Sequence, residues 1–225
     1  MKTIGILGGM GPEATAYTYM EMIRYCQTKY MARLDSDFPA IVIYSLPLPD
    51  VVELKGMEEK TLKALEFGVE KLKAAGASFA FLACNSVEKF IPELRKRMEI
   101  LSIVEETLKE AKKFSLKRIG FLATETTIQS KCYQQKFKPE EIELILPEEQ
   151  QLITAAIREI LEGKKREPKE KILKAIKQFK EVDAIALACT DLPVVINQED
   201  SGLKILDTAS IIAKAAIKKY YERKD

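Results

Sequence analysis

The sequence of 225 residues predicts an α/β protein made of two pseudosymmetric α/β half-domains, each with a small parallel sheet flanked by helices. This prediction rests on two sequence patterns that are each repeated within the chain. The apolar runs 79–83 and 184–188 each end in Leu-Ala and are followed by a cysteine and two polar residues, which is typical of buried parallel strands that end at a ligand site. Residues 117–124 repeat the pattern of residues 2–9 in the same order. Two half-domains facing each other across a cleft explain both repeated patterns.

The first element is a strand at residues 2–7, followed by a glycine-rich turn and a helix from Pro12 to about residue 31. Glycine permits a tight turn, and proline suits the first position of a helix. Because amides at a helix start bind anions, we expect Gly9, Met10 and Gly11 to contact a ligand carboxylate. The turn also fits a relaxed dinucleotide fingerprint, but no acidic residue ends the second strand where that fingerprint needs one.

The rest of the first half predicts a strand at 40–45, a proline-containing loop, a helix at 58–75 and the strand that ends at Cys84. A helix is expected over 87–98. Residues 100–103 predict a short strand that we expect to begin the second half. The predicted domains are therefore residues 1–99 and 100–207, with a terminal helix at 208–225 packing back on the first.

In the second half, a strand leads to Thr124, and a helix start there offers the hydroxyls of Thr124 and Thr127 to an anion. Capping alone is the alternative explanation for these hydroxyls. The pattern then predicts a strand at 142–146, a helix from 147 to about 161, a charged surface link at 164–171 and a helix ending near 180. The Cys189 strand, a last strand at 204–207 and the terminal helix complete the half.

Composition excludes several classes of protein. The net charge is +2, and the 36 basic and 34 acidic side chains are interspersed, so the sequence predicts no basic patch that would bind nucleic acid. No apolar run approaches the ~20 residues that a membrane-spanning helix needs, and the first residues lack a signal-peptide pattern, so we expect a cytoplasmic protein. The absence of histidine removes Ser-His-Asp triads, Cys-His dyads and histidine-ligated metal sites.

The four cysteines show neither the spacing nor the context of a disulfide framework or a zinc site. Cys26 and Cys132 fall in predicted helices, where we expect a structural role. Cys84 and Cys189 stand 105 positions apart, each just beyond a parallel strand, where the ligand sites of open α/β sheets collect. We therefore expect these two thiols to face one crevice, although buried free cysteines are also common in cores.

Two thiols from opposite halves of a cleft suggest a specific chemistry. A thiol before a helix start is favoured as thiolate. One thiolate can remove a proton from a substrate carbon while the other thiol delivers one from the opposite face, which inverts that carbon. The negative charge that develops needs hydrogen-bond donors, which Asn85, Thr124, Thr127 and Thr190 can supply.

These motifs make the sequence resemble the aspartate/glutamate racemase superfamily, specifically its pyridoxal-phosphate-independent aspartate racemase branch. The resemblance spans nearly the whole chain and rests on four stretches: residues 2–15, Cys84-Asn85-Ser86, 123–127 and Cys189-Thr190-Asp191. It implies two α/β half-domains with the active site between them. It also implies racemisation by Cys84 and Cys189 without a cofactor, and usually a homodimer.

The sequence also departs from the aspartate racemase pattern. Pro49-Asp50 is followed by Val51, where the pattern has an arginine that holds the substrate's side-chain carboxylate. Val87 and Glu88 stand where a histidine is common, and a lysine usual near residue 161 has no clear match. Aspartate or glutamate is the default substrate that the resemblance implies, and a less acidic amino acid stays open because of Val51.

The sequence thus predicts a cofactor-independent amino-acid racemase with Cys84 and Cys189 as the catalytic pair and no metal. The predicted substrate-binding residues surround them in sequence or across the cleft: Gly9, Met10, Gly11, Asn85, Ser86, Thr124, Thr127, Thr190 and Asp191. Four alternatives stay open, namely a hydantoin racemase, an isomerase of a small diacid, a broad-specificity amino-acid racemase, and a protein that binds a ligand with weak or no turnover.

Overall fold

The computed structural model describes residues 2–48 and 56–222. The first half contains the following elements: β1 (Thr3–Gly8), α1 (Pro12–Lys29), β2 (Ala40–Ser45), α2 (Glu58–Ala74), β3 (Phe79–Leu82), α3 (Ile91–Leu94), β4 (Ile100–Leu101) and α4 (Ile103–Lys113). The second half contains these: β5 (Arg118–Ala123), α5 (Glu125–Ser130), α6 (Cys132–Phe137), β6 (Glu143–Ile145), α7 (Gln150–Leu161), α8 (Arg166–Ile176), β7 (Ala184–Ala188), β8 (Lys204–Asp207) and α9 (Thr208–Tyr221). In the part of the chain described, no helix is both long and apolar enough to span a membrane.

The strands form two parallel sheets of four with the same internal order. The first sheet is arranged β2-β1-β3-β4 and the second β6-β5-β7-β8. In the central pairs, Leu7 lies opposite Leu82 and Leu122 lies opposite Leu187. The predicted fold class is confirmed. Because all strands of a sheet run the same way, the residues that follow β1 and β3 meet at one edge, as do those that follow β5 and β7.

The short strand β4 belongs to the first sheet. It pairs in parallel with β3, with Ala80 opposite Ile100, so the expectation that this strand begins the second half is wrong. The chain has just left β3 through a short helix, and the free edge of β3 is the nearest partner for its unpaired backbone groups. In the repeat, β4 corresponds to β8, and the halves meet after α4. The predicted domain boundary between residues 99 and 100 therefore assigns β4 to the wrong half. The rest of the predicted division into two domains stays a prediction.

Several helix boundaries also differ from the sequence prediction. The helix expected from residue 147 begins at Gln150, and the helix expected to end near 180 ends at Ile176. The helix expected over 87–98 is a 3₁₀ turn, Glu88–Phe90, followed by the four residues of α3. The surface link expected at 164–171 contains the start of α8, which begins at Arg166. Pro168 lies in the first turn of α8, where its missing N–H breaks no helical hydrogen bond.

Three apolar clusters cover both faces of each sheet. The central cluster joins the two sheets, because it contains Phe81 of β3 and Phe121 of β5 together with residues of α1, α4 and α9. A second cluster packs the opposite face of the first sheet against α2, and a third packs the opposite face of the second sheet against α7 and α8. The terminal helix α9 packs against α1 and α4. The relative position of the two sheets is therefore set by a shared core.

Candidate active site

A cavity of about 160 Å³ lies where the strand ends of the two sheets meet. Its lining combines a glycine turn, two cysteines, hydroxyl and amide side chains, one carboxylate and several apolar side chains. These residues are Gly9, Met10, Gly11, Pro12, Leu48, Cys84, Asn85, Ser86, Thr124, Leu161, Cys189, Thr190 and Asp191. The cavity has room for a small molecule, since a single water needs only ~15 Å³.

The turn after β1 forms one wall and requires glycine. Gly9 has a φ of +89°, and a Cβ there would lie 2.6 Å from the backbone of Leu46. A Cβ at Gly11 would lie 2.9 Å from Asp191 Oδ1. The Gly9 N–H donates to Thr15 Oγ1 (2.9 Å), and the same hydroxyl donates to the Gly11 carbonyl (2.9 Å). The first residue of α1, Pro12, lines the cavity, so the positive end of the helix dipole lies at this wall. No side chain caps this end of the helix.

Cys84 follows β3 and is only 4% exposed. Burial raises the pKa of its thiol to about 12, and the Asp191 carboxylate acts in the same direction. The backbone N–H groups of Ser86 and Val87 oppose this rise, because they hydrogen-bond the thiolate. Cys84 is thus a buried thiol whose ionised form already has donors arranged around it.

Cys189 follows β7 directly and is 6% exposed. Its Sγ donates to Asp191 Oδ2 at 3.6 Å. Burial and the Asp191 carboxylate both raise the pKa of this thiol well above its usual value, and the nearby Cys84 raises it further. Since Asp191 accepts the thiol hydrogen, Cys189 is held in its protonated form.

Asp191 is a buried carboxylate at the cavity wall. Burial raises its pKa to about 6, so the group is ionised at neutral pH. While Oδ2 accepts from Cys189, Oδ1 is buried without a hydrogen-bond partner in the part of the chain described, and it lies against Gly11. A buried acceptor left without a donor is costly, which makes Asp191 a natural partner for a ligand N–H.

Three hydroxyls connect the two halves at the cavity. Ser86 Oγ lies 2.9 Å from Thr124 Oγ1 and 3.4 Å from Thr127 Oγ1, and the two threonine oxygens lie 2.9 Å apart. Thr124 also caps α5 by accepting from the Thr127 N–H at 3.1 Å. Ser86 follows β3, whereas both threonines follow β5, so this cluster ties the strand ends of one sheet to those of the other.

Asn85 and Thr190 are held by contacts between the halves. The Asn85 carbonyl accepts from Tyr133 OH at 2.5 Å, and its amide donates to Thr208 Oγ1 at 3.1 Å. Thr190 Oγ1 donates to the carbonyl of Ala83, the residue before Cys84, at 3.0 Å. One N–H of the Asn85 amide is left for a ligand, because such an amide carries two donors and Thr208 takes one.

Every predicted site residue except Thr127 lines this cavity, and Thr127 lies one layer behind it, bonded to Thr124. Cys26 lies buried in α1, and Cys132 begins α6 outside the cavity. All four cysteines are free. The prediction about Val51 falls outside the described residues. Sequence reasoning did not single out Pro12, Leu48 and Leu161 as lining residues, because an apolar side chain carries no chemical signal of a site.

Comparison with known proteins bears on this arrangement. The family model described as Asp/Glu/Hydantoin racemase matches residues 7–216. The chain belongs to this family. The family resemblance predicted from the sequence is thus confirmed, and with it the class of enzyme, a racemase.

Individual relatives of the family extend the comparison. The broad specificity amino-acid racemase RacX of Bacillus subtilis is 33% identical over 222 residues, which cover 96% of this chain and 97% of that protein. The aspartate racemase of Picrophilus torridus superposes with a TM-score of 0.90 at 28% identity, covering 99% of this chain and 96% of the other. An aspartate racemase homologue from Pyrococcus horikoshii gives a TM-score of 0.80 at 26% identity, covering 99% and 100%. The family's architecture therefore extends over nearly the whole chain.

Proposed function

We propose that the protein is a cofactor-independent amino-acid racemase that inverts the α-carbon with Cys84 and Cys189. The observation that carries this proposal is the pair of buried cysteines, one after the third strand of each sheet, in one cavity. The match to RacX, a broad specificity amino-acid racemase, supports amino acids as the substrate class. The alternatives of hydantoin racemisation and diacid isomerisation use the same cavity and are separated by substrate profiling.

The proposed reaction is a two-base proton transfer. The thiolate of one cysteine takes the α-proton, so that the Cα–H bond breaks and an S–H bond forms. The electron pair left on Cα delocalises into the α-carboxylate. The thiol of the other cysteine then protonates the opposite face of Cα and becomes a thiolate. The product is the mirror image of the substrate, and no atom other than hydrogen has been exchanged.

The residues around the cysteines supply the electrostatic part of the proposal. The hydroxyls of Ser86 and Thr124 and the amide of Asn85 line the cavity and can donate to the α-carboxylate as charge develops on it. The unpartnered Asp191 Oδ1 accepts from the α-ammonium group. Such preorganised donors typically contribute about 10²- to 10³-fold each to the rate of a reaction that builds up negative charge.

Cys84 is the cysteine that ionises first in this proposal. Both thiols have raised pKa values. Two backbone N–H groups, those of Ser86 and Val87, stabilise the Cys84 thiolate, whereas the Cys189 thiolate has one, from Asp191, whose carboxylate also accepts from the Cys189 thiol and repels negative charge on its sulfur. In the free protein both thiols are protonated, and the form that starts the reaction is the one in which Cys84 has released its proton to solvent and acts as the base, with Cys189 as the acid. The enantiomer whose α-proton faces Cys84 is the one that this form deprotonates.

The first test is proton exchange in deuterium oxide. The purified protein is incubated with single enantiomers of a panel of amino acids without added cofactor, and α-deuteration and optical inversion are followed together. We expect inversion by the wild type to be lost, by at least 10³-fold, in both Cys84→Ala and Cys189→Ala, since each removes one of two groups that act as a unit. Cys132→Ala, which removes a cysteine outside the cavity, is the matched control and retains activity.

Two results would contradict the proposal. Inversion that survives either active-site substitution would show that the reaction does not need the pair. A ligand-dependent rise in melting temperature with no exchange for any panel member would identify a binding protein instead.

The proposal includes a homodimer in the cytoplasm. The resemblance to aspartate racemases suggests the dimer, and four free cysteines fit a reducing compartment. Ile43 of the edge strand β2 and Phe67 of α2 are large apolar side chains exposed on the first half. Light scattering on the purified protein measures the mass, and a monomer of 25.5 kDa would overturn the dimer.

A further inference from the structure

We propose that the cavity selects amino acids with an uncharged, apolar side chain of aliphatic size. This inference rests on the proposed function, because it assigns the substituent that Cα carries besides its carboxylate and ammonium groups. Three features of the described residues carry it: an apolar wall, the pairing of the nearby lysines, and the negative charge of Asp191.

The apolar wall consists of Met10, Leu48 and Leu161, all of which line the cavity. Met10 is buried in the second apolar cluster, which packs the first sheet against α2. Leu48 is partly buried and packs against that cluster. Leu161 ends α7 and is 48% exposed, and its Cδ2 lies 2.8 Å from where a Cβ on Gly11 would stand. An apolar substituent placed against these side chains shields them from water, which stabilises the complex.

The lysines near the wall are engaged by other groups. Among the described residues, no lysine or arginine lines the cavity. Lys165, four residues after Leu161, forms an ion pair with Glu13 of α1 at 2.5 Å. Lys164 pairs with Glu162 at 2.7 Å. A carboxylate on the substrate's side chain would thus have to compete with existing partners for either ammonium group.

The charge within the cavity also opposes an acidic side chain. Asp191 is the one carboxylate among the described lining residues, and its free oxygen is satisfied by the substrate's ammonium group. A second carboxylate on the substrate would be desolvated beside Asp191 and the three apolar side chains, which is unfavourable, because Lys165, the cation whose charge reaches Asp191, is already paired with Glu13. A lysine or arginine side chain would likewise lose solvation along the apolar wall. The neutral side chain pays neither desolvation cost.

The inference is tested on the wild type by comparing exchange rates. Methionine, leucine, aspartate and lysine are supplied as single enantiomers in deuterium oxide, and kcat/KM for α-deuteration is measured for each. We expect the value for methionine or leucine to exceed those for aspartate and lysine by at least tenfold. A preference for aspartate or lysine overturns this inference and leaves the racemase proposal standing, whereas no exchange with any amino acid overturns both.

A charge placed in the wall tests the assignment of the side-chain subsite. Leu161→Lys adds a cation at a half-exposed position that tolerates it, and we expect it to raise the ratio of aspartate to methionine kcat/KM at least tenfold. Leu34→Lys adds the same charge at an exposed leucine outside the cavity and is the matched control, with an unchanged ratio expected. An equal ratio in Leu161→Lys and the control overturns the inference.

Discussion

Glu88 is a buried carboxylate four residues after Cys84. It lies in the 3₁₀ turn that follows Val87, and its side chain accepts a hydrogen bond from the Ser102 hydroxyl. Burial raises its pKa from the ordinary value of 4.5 to about 7. The folded protein therefore keeps this carboxyl protonated over a pH range in which the unfolded chain has released the proton.

We expect Glu88 to make the protein less stable as the pH rises. Its contribution is fully present below pH 4.5 and is lost as the pH passes about 7, because charging the buried group is unfavourable. The shift corresponds to about 3 kcal/mol at ~1.4 kcal/mol per pKa unit. Glu88→Gln keeps the partner for Ser102 and removes the charge, so its free energy of unfolding relative to the wild type should rise by roughly that amount between pH 4.5 and 8.

Urea unfolding at several pH values measures this difference. Glu93→Gln removes the same charge from the surface ion pair between Glu93 of α3 and Lys96, and it serves as the control. A Glu88→Gln difference from wild type that does not vary with pH, or that varies as in the control, would refute the assignment.

At the scale of single residues, the sequence predicted the polar part of the site. Cys84 and Cys189 could be found because each ends an apolar run, and strand direction alone brings such ends together. Tyr133 and Thr208, which hold Asn85, could not be found. Tyr133 belongs to a helix in the second half and looks like any core aromatic residue, and its contact with Asn85 exists only once the halves have packed.

Among the elements, α5 connects stability with the site through its N-cap residue. Thr124 caps α5 and lies in the hydroxyl cluster with Ser86 and Thr127. Thr124→Val has nearly the same shape but no hydroxyl, and loss of such a cap costs about 1 kcal/mol. We expect Thr124→Val to lower the melting temperature and to reduce kcat/KM for inversion at least tenfold.

Thr124→Ser is the matched comparison, since it keeps the hydroxyl and removes only a methyl group. It should retain the cap and most of the activity. Thermal unfolding and the exchange assay report the two effects separately. If Thr124→Val inverted substrates as fast as Thr124→Ser, the hydroxyl would have no part in holding the substrate.

The elements that the sequence predicted well are those whose signals are local. The strand at 40–45 matches β2, and the last strand and the start of the terminal helix match β8 and α9. The helix expected over 87–98 does not form as one helix, because tertiary packing, rather than periodicity, decides where the chain turns within a short apolar segment. The prediction of which half contains β4 was wrong for a related reason, because pairing with the edge of a sheet is a contact between segments that are distant in the sequence.

Across the whole molecule, the central apolar cluster is shared by the two halves, so we expect them to unfold as one unit. Phe81 belongs to the first sheet and Phe121 to the second, and both are fully buried in that cluster. Phe81→Ala and Phe121→Ala should each lower the free energy of unfolding by ~3–5 kcal/mol. Because the cluster is shared, each variant should still unfold in a single transition, with circular dichroism and tyrosine fluorescence changing together.

Phe67→Ala provides the control, because Phe67 is 52% exposed on α2 and its truncation should cost much less. Two separate transitions, of which a given substitution shifts only one, would show that each half unfolds alone. Such a result would favour the predicted division into two domains over a single cooperative unit.

The placement of one cysteine on each half has a consequence for successive turnovers in the proposed mechanism. After an inversion, the proton that began on Cys189 has left with the product and Cys84 carries the one taken from the substrate. The enzyme that releases a D-amino acid is therefore in a different state from the one that bound the L-form, and it is ready only for the reverse reaction. Before another substrate of the same hand can react, Cys84 must release that proton and Cys189 must take one up, although Cys84 is only 4% and Cys189 only 6% exposed. The return to the starting form is therefore a separate step of each catalytic cycle, and solvent deuterium enters the thiols at this step.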